Sequence, residues 1–217
     1  MADTVTEVLE KNALTTLETM LDFLGLSGNE DPVIQNTVTR LINSASAYIE
    51  SMTGRQFAKQ EYIETHSAGG GQELCLDQYP IIAVSEIIDT ASDQKVTAES
   101  YDHLMDGKIG VIYRDRGWIE RGYRGGLAND IMLRSRYLKV CYVAGYILPK
   151  DATKEEPATL PYDLQSAVWQ MVQQQWTLAA NGATGLAAFS ISDISWTFDK
   201  TLPAQVTEII QRYMRWS

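Results

Sequence analysis

Segments with helical periodicity lie at both ends of this 217-residue chain, and a segment rich in β-branched and aromatic residues lies between them. Side chains of one helix face recur about every 3.6 residues and those of one strand face every second residue, so a change of period marks a change of structure. The pattern predicts an α+β fold, a helical bundle of about four helices with a β-rich insertion. We expect one domain, with its helical core at about residues 14–57 and 161–217 and the insertion at about residues 60–145.

The clearest helix begins at Asp31-Pro32, because an aspartate side chain can cap free N–H groups and proline suits the first helical turn. Gly54 is a typical stop for it. Its apolar stripe is predicted to consist of Ile34, Val38, Leu41, Ala45, Tyr48, Ile49 and Met52.

Three further helices are predicted from the same periodicity. The first is a short helix with Leu14, Leu17, Leu21 and Leu24 on one face. The second runs from about Pro161 to Ala180 and carries Leu164, Val168, Met171, Val172 and Gln175. The third opens at Pro203 and carries Val206, Ile209, Ile210 and Tyr213.

The central segment contains short runs of strand-forming residues separated by glycine, aspartate and serine clusters. Strands are predicted at Glu61–Thr65, Glu73–Leu76, Ala83–Ile88, Gly110–Tyr113 and Tyr137–Ala144. Near the C-terminus, apolar residues alternate on both sides of Ser192-Asp193, which predicts a β-hairpin followed by the last helix.

The charge balance argues against a protein that wraps nucleic acid. A formal net charge of -10 repels phosphates. It suits a conduit through which DNA slides without sticking, but it is also ordinary for a soluble bacterial protein, and this second interpretation is favoured. Cys75 and Cys141 lack metal-ligand spacing and have apolar or β-branched neighbours, which predicts buried free thiols. The N-terminal residues do not resemble a signal peptide, and no apolar run reaches the roughly 20 residues of a membrane helix. We therefore expect a soluble protein kept inside the cell.

Candidate catalytic and ligand-binding residues lack the partners that their chemistry needs. His66 and His103 lie in polar segments, where solvated loop histidines are expected, and no base is paired with Cys75. Gly69-Gly70-Gly71 is followed by Gln72-Glu73 and not by the Lys-Ser or Lys-Thr of a phosphate-binding loop. We expect no catalytic site, no metal and no cofactor.

The order of these elements resembles the head-tail connector, or adaptor, family of tailed phages. The resemblance covers about three quarters of the chain and rests on packing and turn features. The residues that carry it are Thr16-Leu17, Leu24-Gly25-Leu26, Asp31-Pro32, Ser44–Glu50, Thr53–Phe57, Leu74, Leu76, Tyr79-Pro80-Ile81, Val84, Pro161–Ala167, Leu202-Pro203 and Tyr213-Met214-Arg215.

The resemblance implies a structural role in the virion, at the junction of head and tail. Members of the family form a ring, commonly of twelve subunits, which docks beneath the portal protein and is continued by a stopper or another tail-side neck protein. DNA passes through the ring without sequence-specific binding. Such a protein is made in the cytoplasm of the bacterial host and is then assembled into the particle.

Two segments combine arginine with aromatic residues, a composition typical of protein interfaces. One is a loop for which contact with a neighbouring subunit or neck protein is favoured over contact with DNA. It consists of Arg114, Arg116, Trp118, Arg121, Tyr123 and Arg124. The other is the C-terminal end, Arg212, Tyr213, Arg215 and Trp216, which by resemblance meets the portal.

Two alternatives stay open on the sequence. A stopper or tail-completion protein tends to be mostly β, so the helices at both ends weigh against it. A small enzyme with a site in the β-rich insertion requires a paired nucleophile and base, which the sequence does not reveal.

Overall fold

The computed structural model describes residues 7–67, 71–90, 92–103, 107–118, 137–180, 188–191, 194–197 and 202–215. Over these residues the chain forms four α-helices, and antiparallel pairing joins its strands. The helices are α1 (Leu17–Phe23), α2 (Pro32–Thr53), α3 (Tyr162–Ala180) and α4 (Ala204–Tyr213). The strands are β1 (Gln60–Ser67), β2 (Glu73–Cys75), β3 (Ile81–Asp89), β4 (Gln94–Lys95), β5 (Val111–Tyr113), β6 (Tyr137–Ala144), β7 (Ala188–Ile191) and β8 (Ile194–Thr197). The predicted α+β class is confirmed.

The chain divides into two compact units. The helical unit consists of Met1–Arg55 and Ile147–Arg215, and the β unit is formed mainly by Gln56–Tyr146. The helical unit is thus built from two distant stretches of sequence, and the β unit from the stretch between them.

Helix α2 begins and ends where the sequence predicts. Oδ1 of Asp31 accepts a hydrogen bond from Val33 N at 2.9 Å, and Gly54 adopts the left-handed conformation at φ 67°. The predicted stripe is partly wrong, because Tyr48 and Met52 are 39% and 46% exposed. Ile42, which the prediction omitted, is fully buried.

The buried face of α2 is rotated about the helix axis from the predicted apolar stripe, because it includes polar side chains that bind the N-terminal segment. Leu14 N donates to Oγ of Ser46 at 3.1 Å, and Glu7 N donates to Oδ1 of Asn36 at 2.9 Å. A hydrogen-bonded polar side chain can be buried at little cost. Hydrophobicity alone therefore places this face incorrectly.

Helices α3 and α4 follow their predicted periodicity, with two exceptions. Gln175 is exposed and Tyr213 is only partly buried. The core positions that are confirmed are Leu164, Val168, Met171, Val172, Val206, Ile209 and Ile210.

The β unit is built on a four-stranded antiparallel sheet with the order β1-β6-β3-β4. Strand β6 is central, and its register with β1 runs without a shift from Gln60↔Ala144 to Ser67↔Tyr137. Alternate residues of β6 face a core that also includes residues of β2, β3 and β5. These core residues are Leu74, Leu76, Ile81, Ile87, Ile112, Trp118, Leu138, Val140, Tyr142 and Ala144.

The prediction of buried thiols is wrong. Cys141 lies between core-facing residues of β6 and is therefore on the opposite face of the sheet, where it is partly exposed. Cys75 is exposed, because Leu74 is the one residue of β2 that faces inward.

A close approach of three backbone segments completes the β unit. Gly145 N donates to Pro80 O at 3.0 Å, and Tyr146 N donates to Phe57 O at 2.7 Å. Gly145 has φ 103°, and a Cβ built on it would lie 2.5 Å from Ala58 O. Only glycine fits this position without displacing backbone atoms.

Candidate interaction surfaces

The described part of the predicted C-terminal surface meets the start of α3. The exposed guanidinium of Arg212 forms an ion pair with Asp163, with 3.2 Å between Nη1 and Oδ2. The hydroxyl of Tyr213 donates to Oδ1 of the same carboxylate at 2.8 Å. Because one carboxylate bonds two residues of the last turn, Asp163 links the start of α3 to the end of α4. The sequence analysis did not identify Asp163 as part of this surface. Its position two residues after Pro161, at the start of a helix, was the signal that could have pointed to it.

The end of α4 also meets the end of α2. Arg215 N donates to Thr53 O at 2.9 Å. The side chain of Arg55 is buried, and its Nη1 donates to Tyr213 O at 3.4 Å. Thus Arg212, Tyr213 and Arg215 are brought together at one end of the helical unit. Trp216 lies outside the described residues.

Exposed apolar side chains adjoin these contacts along the chain. Met52 precedes Thr53 and Met214 precedes Arg215, and the two methionines are 46% and 48% exposed. Tyr48, one helical turn before Met52, is exposed as well. Exposed apolar residues beside arginines are the composition expected of a protein contact surface.

The arginine-aromatic loop is described as far as Trp118, which is 4% exposed and belongs to the core of the β unit. Trp118 Nε1 donates to Gln72 O at 2.9 Å, and the Arg114 guanidinium lies 5.9 Å from the centre of the tryptophan ring. Arg116 is exposed. Trp118 therefore anchors the loop, and Arg116 is on its surface. Arg121, Tyr123 and Arg124 lie outside the described residues.

A polar cluster on the inner face of the sheet was not predicted. Oε2 of Glu64 accepts from Asp77 N at 2.9 Å and lies 2.8 Å from Nε2 of His66. Oε1 accepts from the hydroxyl of Tyr142, which in turn accepts from Gln78 N at 3.1 Å. His66 is thus within strand β1, and its prediction as a solvated loop histidine is wrong. The spacing of Glu64 and His66, two residues apart on one strand, was the local signal.

The pKa shifts within this cluster favour a structural role over acid-base catalysis. Burial acts to raise the pKa of Glu64, but hydrogen bonds from His66, Tyr142 and Asp77 N outweigh it, so the pKa lies below its ordinary value. Burial and the bond to Glu64 raise the pKa of the Tyr142 hydroxyl. A general base works best with a pKa near the operating pH, so both shifts weaken acid-base catalysis. The cluster instead ties the turn at Asp77 and Gln78 to β1 and β6.

Two further kinds of site were sought over the described residues. No three histidine, cysteine, aspartate or glutamate side chains there lie close enough together to hold a metal ion. No described helix has the length and hydropathy required to cross a membrane.

Solved structures share the fold at low sequence identity. This chain is similar to a protein chain in the neck of an empty GTA particle computed with C6 symmetry. The sequence identity is 15% and the TM-score 0.54, over 97% of this chain and 95% of that chain. It matches one in the virion of a native gene transfer agent (GTA) particle, at 15% identity and TM-score 0.53 over 97% and 94%. It matches one in the neck of a native GTA particle computed with C12 symmetry, at 17% identity and TM-score 0.51 over 97% and 93%.

Sequence comparison gives the family directly. No curated protein sequence matches this chain significantly. The model of a family described as head completion protein matches residues 13–216, which include the four described helices and the two described sheets of the β unit. Since this match covers nearly the whole chain, the chain belongs to the head completion protein family.

Proposed function

We propose that this chain is a structural subunit of the neck of a phage-like particle, where it forms a ring beneath the portal that joins capsid to tail. The observation that carries the proposal is the head completion family match over residues 13–216. The shared fold with chains from the necks of GTA particles supports it. The chain would act in the virion, and its role would be mechanical.

The ring would contain twelve copies and surround the DNA exit channel. One neck that shares the fold was computed with C12 symmetry, which supports this number, and the C6 symmetry with which another was computed is compatible with twelve copies. A ring places identical chains head to tail, so each chain needs two different contact surfaces. The net charge of -10 disfavours retention of DNA, which suits a channel that DNA traverses without sequence-specific binding.

Portal docking would use the C-terminal end, Arg212, Tyr213, Arg215 and Trp216. Arg212 is 66% exposed despite its ion pair, and Arg215 is exposed as well. Three buried side chains hold α4 independently of these arginines, namely Val206, Ile209 and Ile210. The end of the helix is therefore fixed, and Arg212 and Arg215 are exposed on its surface.

The arginine-aromatic loop would contact a neighbouring subunit or a tail-side neck protein. Anchoring by Trp118 limits the conformational entropy that the loop would lose on binding, which favours affinity. The contact itself would come from Arg114 and Arg116, together with Arg121, Tyr123 and Arg124.

Portal docking can be tested with the triple variant Arg212→Ala, Arg215→Ala, Trp216→Ala. An exposed ion pair contributes about 0–1 kcal/mol, so the thermal melt should change little. Interface arginine and tryptophan truncations commonly cost about 2 kcal/mol or more, so co-sedimentation with purified portal should weaken at least tenfold.

Asp163→Asn is the matched control. It removes the charge that pairs with Arg212 but retains every proposed portal anchor. The control should bind the portal like the wild type. If the triple variant also binds like the wild type, with an unchanged melt, then this end of the chain does not meet the portal.

A further inference from the structure

The two long helices of the helical unit are poor in charged residues, although the chain has a net charge of -10. Helix α2 contains Arg40 and Glu50, and α3 contains Asp163. Each of these three side chains is bonded to another side chain of the helical unit. A solvated helix usually carries charged residues on its outer face, so the outer faces of α2 and α3 differ from ordinary solvated surface.

The outer face of α2 combines small side chains with two larger apolar ones over the C-terminal half of the helix. It consists of Ser44, Ala47, Tyr48, Ser51 and Met52, which recur at intervals of three and four and are all exposed. Few charges together with aromatic and methionine side chains distinguish the core of a protein interface from the rest of a surface. The small residues also allow another helix to approach closely.

The outer face of α3 is also uncharged, but it is richer in hydrogen-bonding groups. It consists of Tyr162, Ser166, Gln170 and Gln173, which again recur at intervals of three and four. Tyr162 is 79% exposed and Gln173 is exposed. Gln170 and Ser166 are partly exposed, and Nε2 of Gln170 donates to Oγ of Ser166 at 3.2 Å. A glutamine amide both donates and accepts hydrogen bonds, so this face can bind a neutral polar surface.

We propose that the outer face of α2 on one copy packs against the outer face of α3 on the next copy. The proposal rests on the proposed function, because a ring places identical chains head to tail and needs two different contact surfaces on each chain. The two faces differ in composition, and both belong to the helical unit. The serine and tyrosine hydroxyls of α2 can bond with the glutamine amides of α3.

The charge of the chain favours a second copy as the occupant of each face. Two copies that each carry a net charge of -10 repel one another, and like charges placed opposite one another in an interface oppose binding. Contact through two uncharged faces avoids this repulsion where the copies come closest, and it buries no charge without a partner. A basic partner would instead be matched by acidic residues, which both faces lack.

The test places charges on both faces and asks whether opposite charges restore assembly. The α2 variant carries Ser44→Lys and Ser51→Lys, and the α3 variant carries Gln170→Glu and Gln173→Glu. The opposite-charge variant combines these four substitutions in one chain. The like-charge variant combines the two α2 lysines with Gln170→Lys and Gln173→Lys.

The control is Ser92→Lys with Ala98→Lys. It adds the same charge as the α2 variant, at two exposed positions of the β unit. A thermal melt checks the folding of each protein. Sedimentation velocity then follows assembly over a concentration series, with and without purified portal.

Wild type and control should form the same ring. The α2 and α3 variants should each need at least about tenfold more protein, because each buries charges that have no partner on the next copy. In the opposite-charge variant the lysines of one copy face the glutamates of the next, so the ring should form at about tenfold or more lower concentration than with the like-charge variant. The reciprocal set, with glutamates on α2 and lysines on α3, should give the same result and replaces any variant that fails to fold.

The possible failures are distinguishable. If wild type forms rings and the charged variants form them equally well, the helix-pairing proposal is wrong and the proposed function stands. If the α2 variant is impaired but the opposite-charge and like-charge variants assemble equally, then α2 meets a different surface and the pairing is again wrong. If wild type forms no ring with or without portal, the proposed function fails and this inference fails with it.

Discussion

Gly145→Ala should selectively destabilise the β unit. The residue has φ 103°, and a new Cβ would lie 2.5 Å from Ala58 O and 2.9 Å from Phe57 O. Both neighbours are backbone atoms, so neither can move away by a side-chain rotation. Backbone strain costs about 1–3 kcal/mol and overpacking costs about 1–3 kcal/mol. The sum, about 2–6 kcal/mol, is a large part of the about 5–15 kcal/mol that stabilises a typical domain.

Gly28→Ala separates the two contributions. Gly28 also has a positive φ of 73°, but nothing lies within 4 Å of a Cβ built there, so only the backbone cost of about 1–2 kcal/mol applies. Denaturant titration gives the total free energy of unfolding, and hydrogen exchange at Lys59 N and Tyr146 N reports the local effect. The reasoning is refuted if the two variants lose equal stability, or if exchange at those amides is unchanged in Gly145→Ala.

Three other substitutions or reactions test separate parts of the structure. The Glu64 carboxylate should stabilise the fold fully above its ordinary pKa of 4.5, and this stabilisation should be lost as the pH falls through the lower pKa of the folded state. In Glu64→Gln the free energy of unfolding should therefore depend less on pH in the acid range. Ile42→Ala should cost about 2–5 kcal/mol by denaturant titration, whereas Tyr48→Ala should cost under about 1 kcal/mol, and equal losses would contradict the assigned face of α2. Iodoacetamide should modify Cys75 before Cys141 in the native protein, as mass spectrometry of peptides can show, and the reverse order would contradict their exposures.

Local signals in the sequence located many of the elements. The caps Asp31 and Gly54 define the ends of α2. A helix begins where a side chain can accept from its free N–H groups, and it often ends at a residue that adopts the left-handed conformation, so both signals lie close to the helix in sequence. The run of β-branched and aromatic residues predicted the bounds of β6, Tyr137–Ala144. Such signals depend on neighbours within a few residues, which one sequence displays directly.

Features that depend on distant partners escaped prediction. Tyr142 and Glu64 are bonded across 78 positions of sequence, and nothing near either residue indicates the other. Likewise, the burial of Ser46 depends on Leu14 N, 32 positions away. The family resemblance supplied the function, because the sequence contains contact-forming residues and no chemical motif.

The most direct test of the neck assignment is electron cryo-microscopy of purified portal mixed with this protein. We predict an added annulus beneath the portal, with twelve copies around the channel axis and each copy fitted by the helical and β units described above. Absence of any added annular density, at every salt and protein concentration tried, would contradict a ring-forming neck subunit.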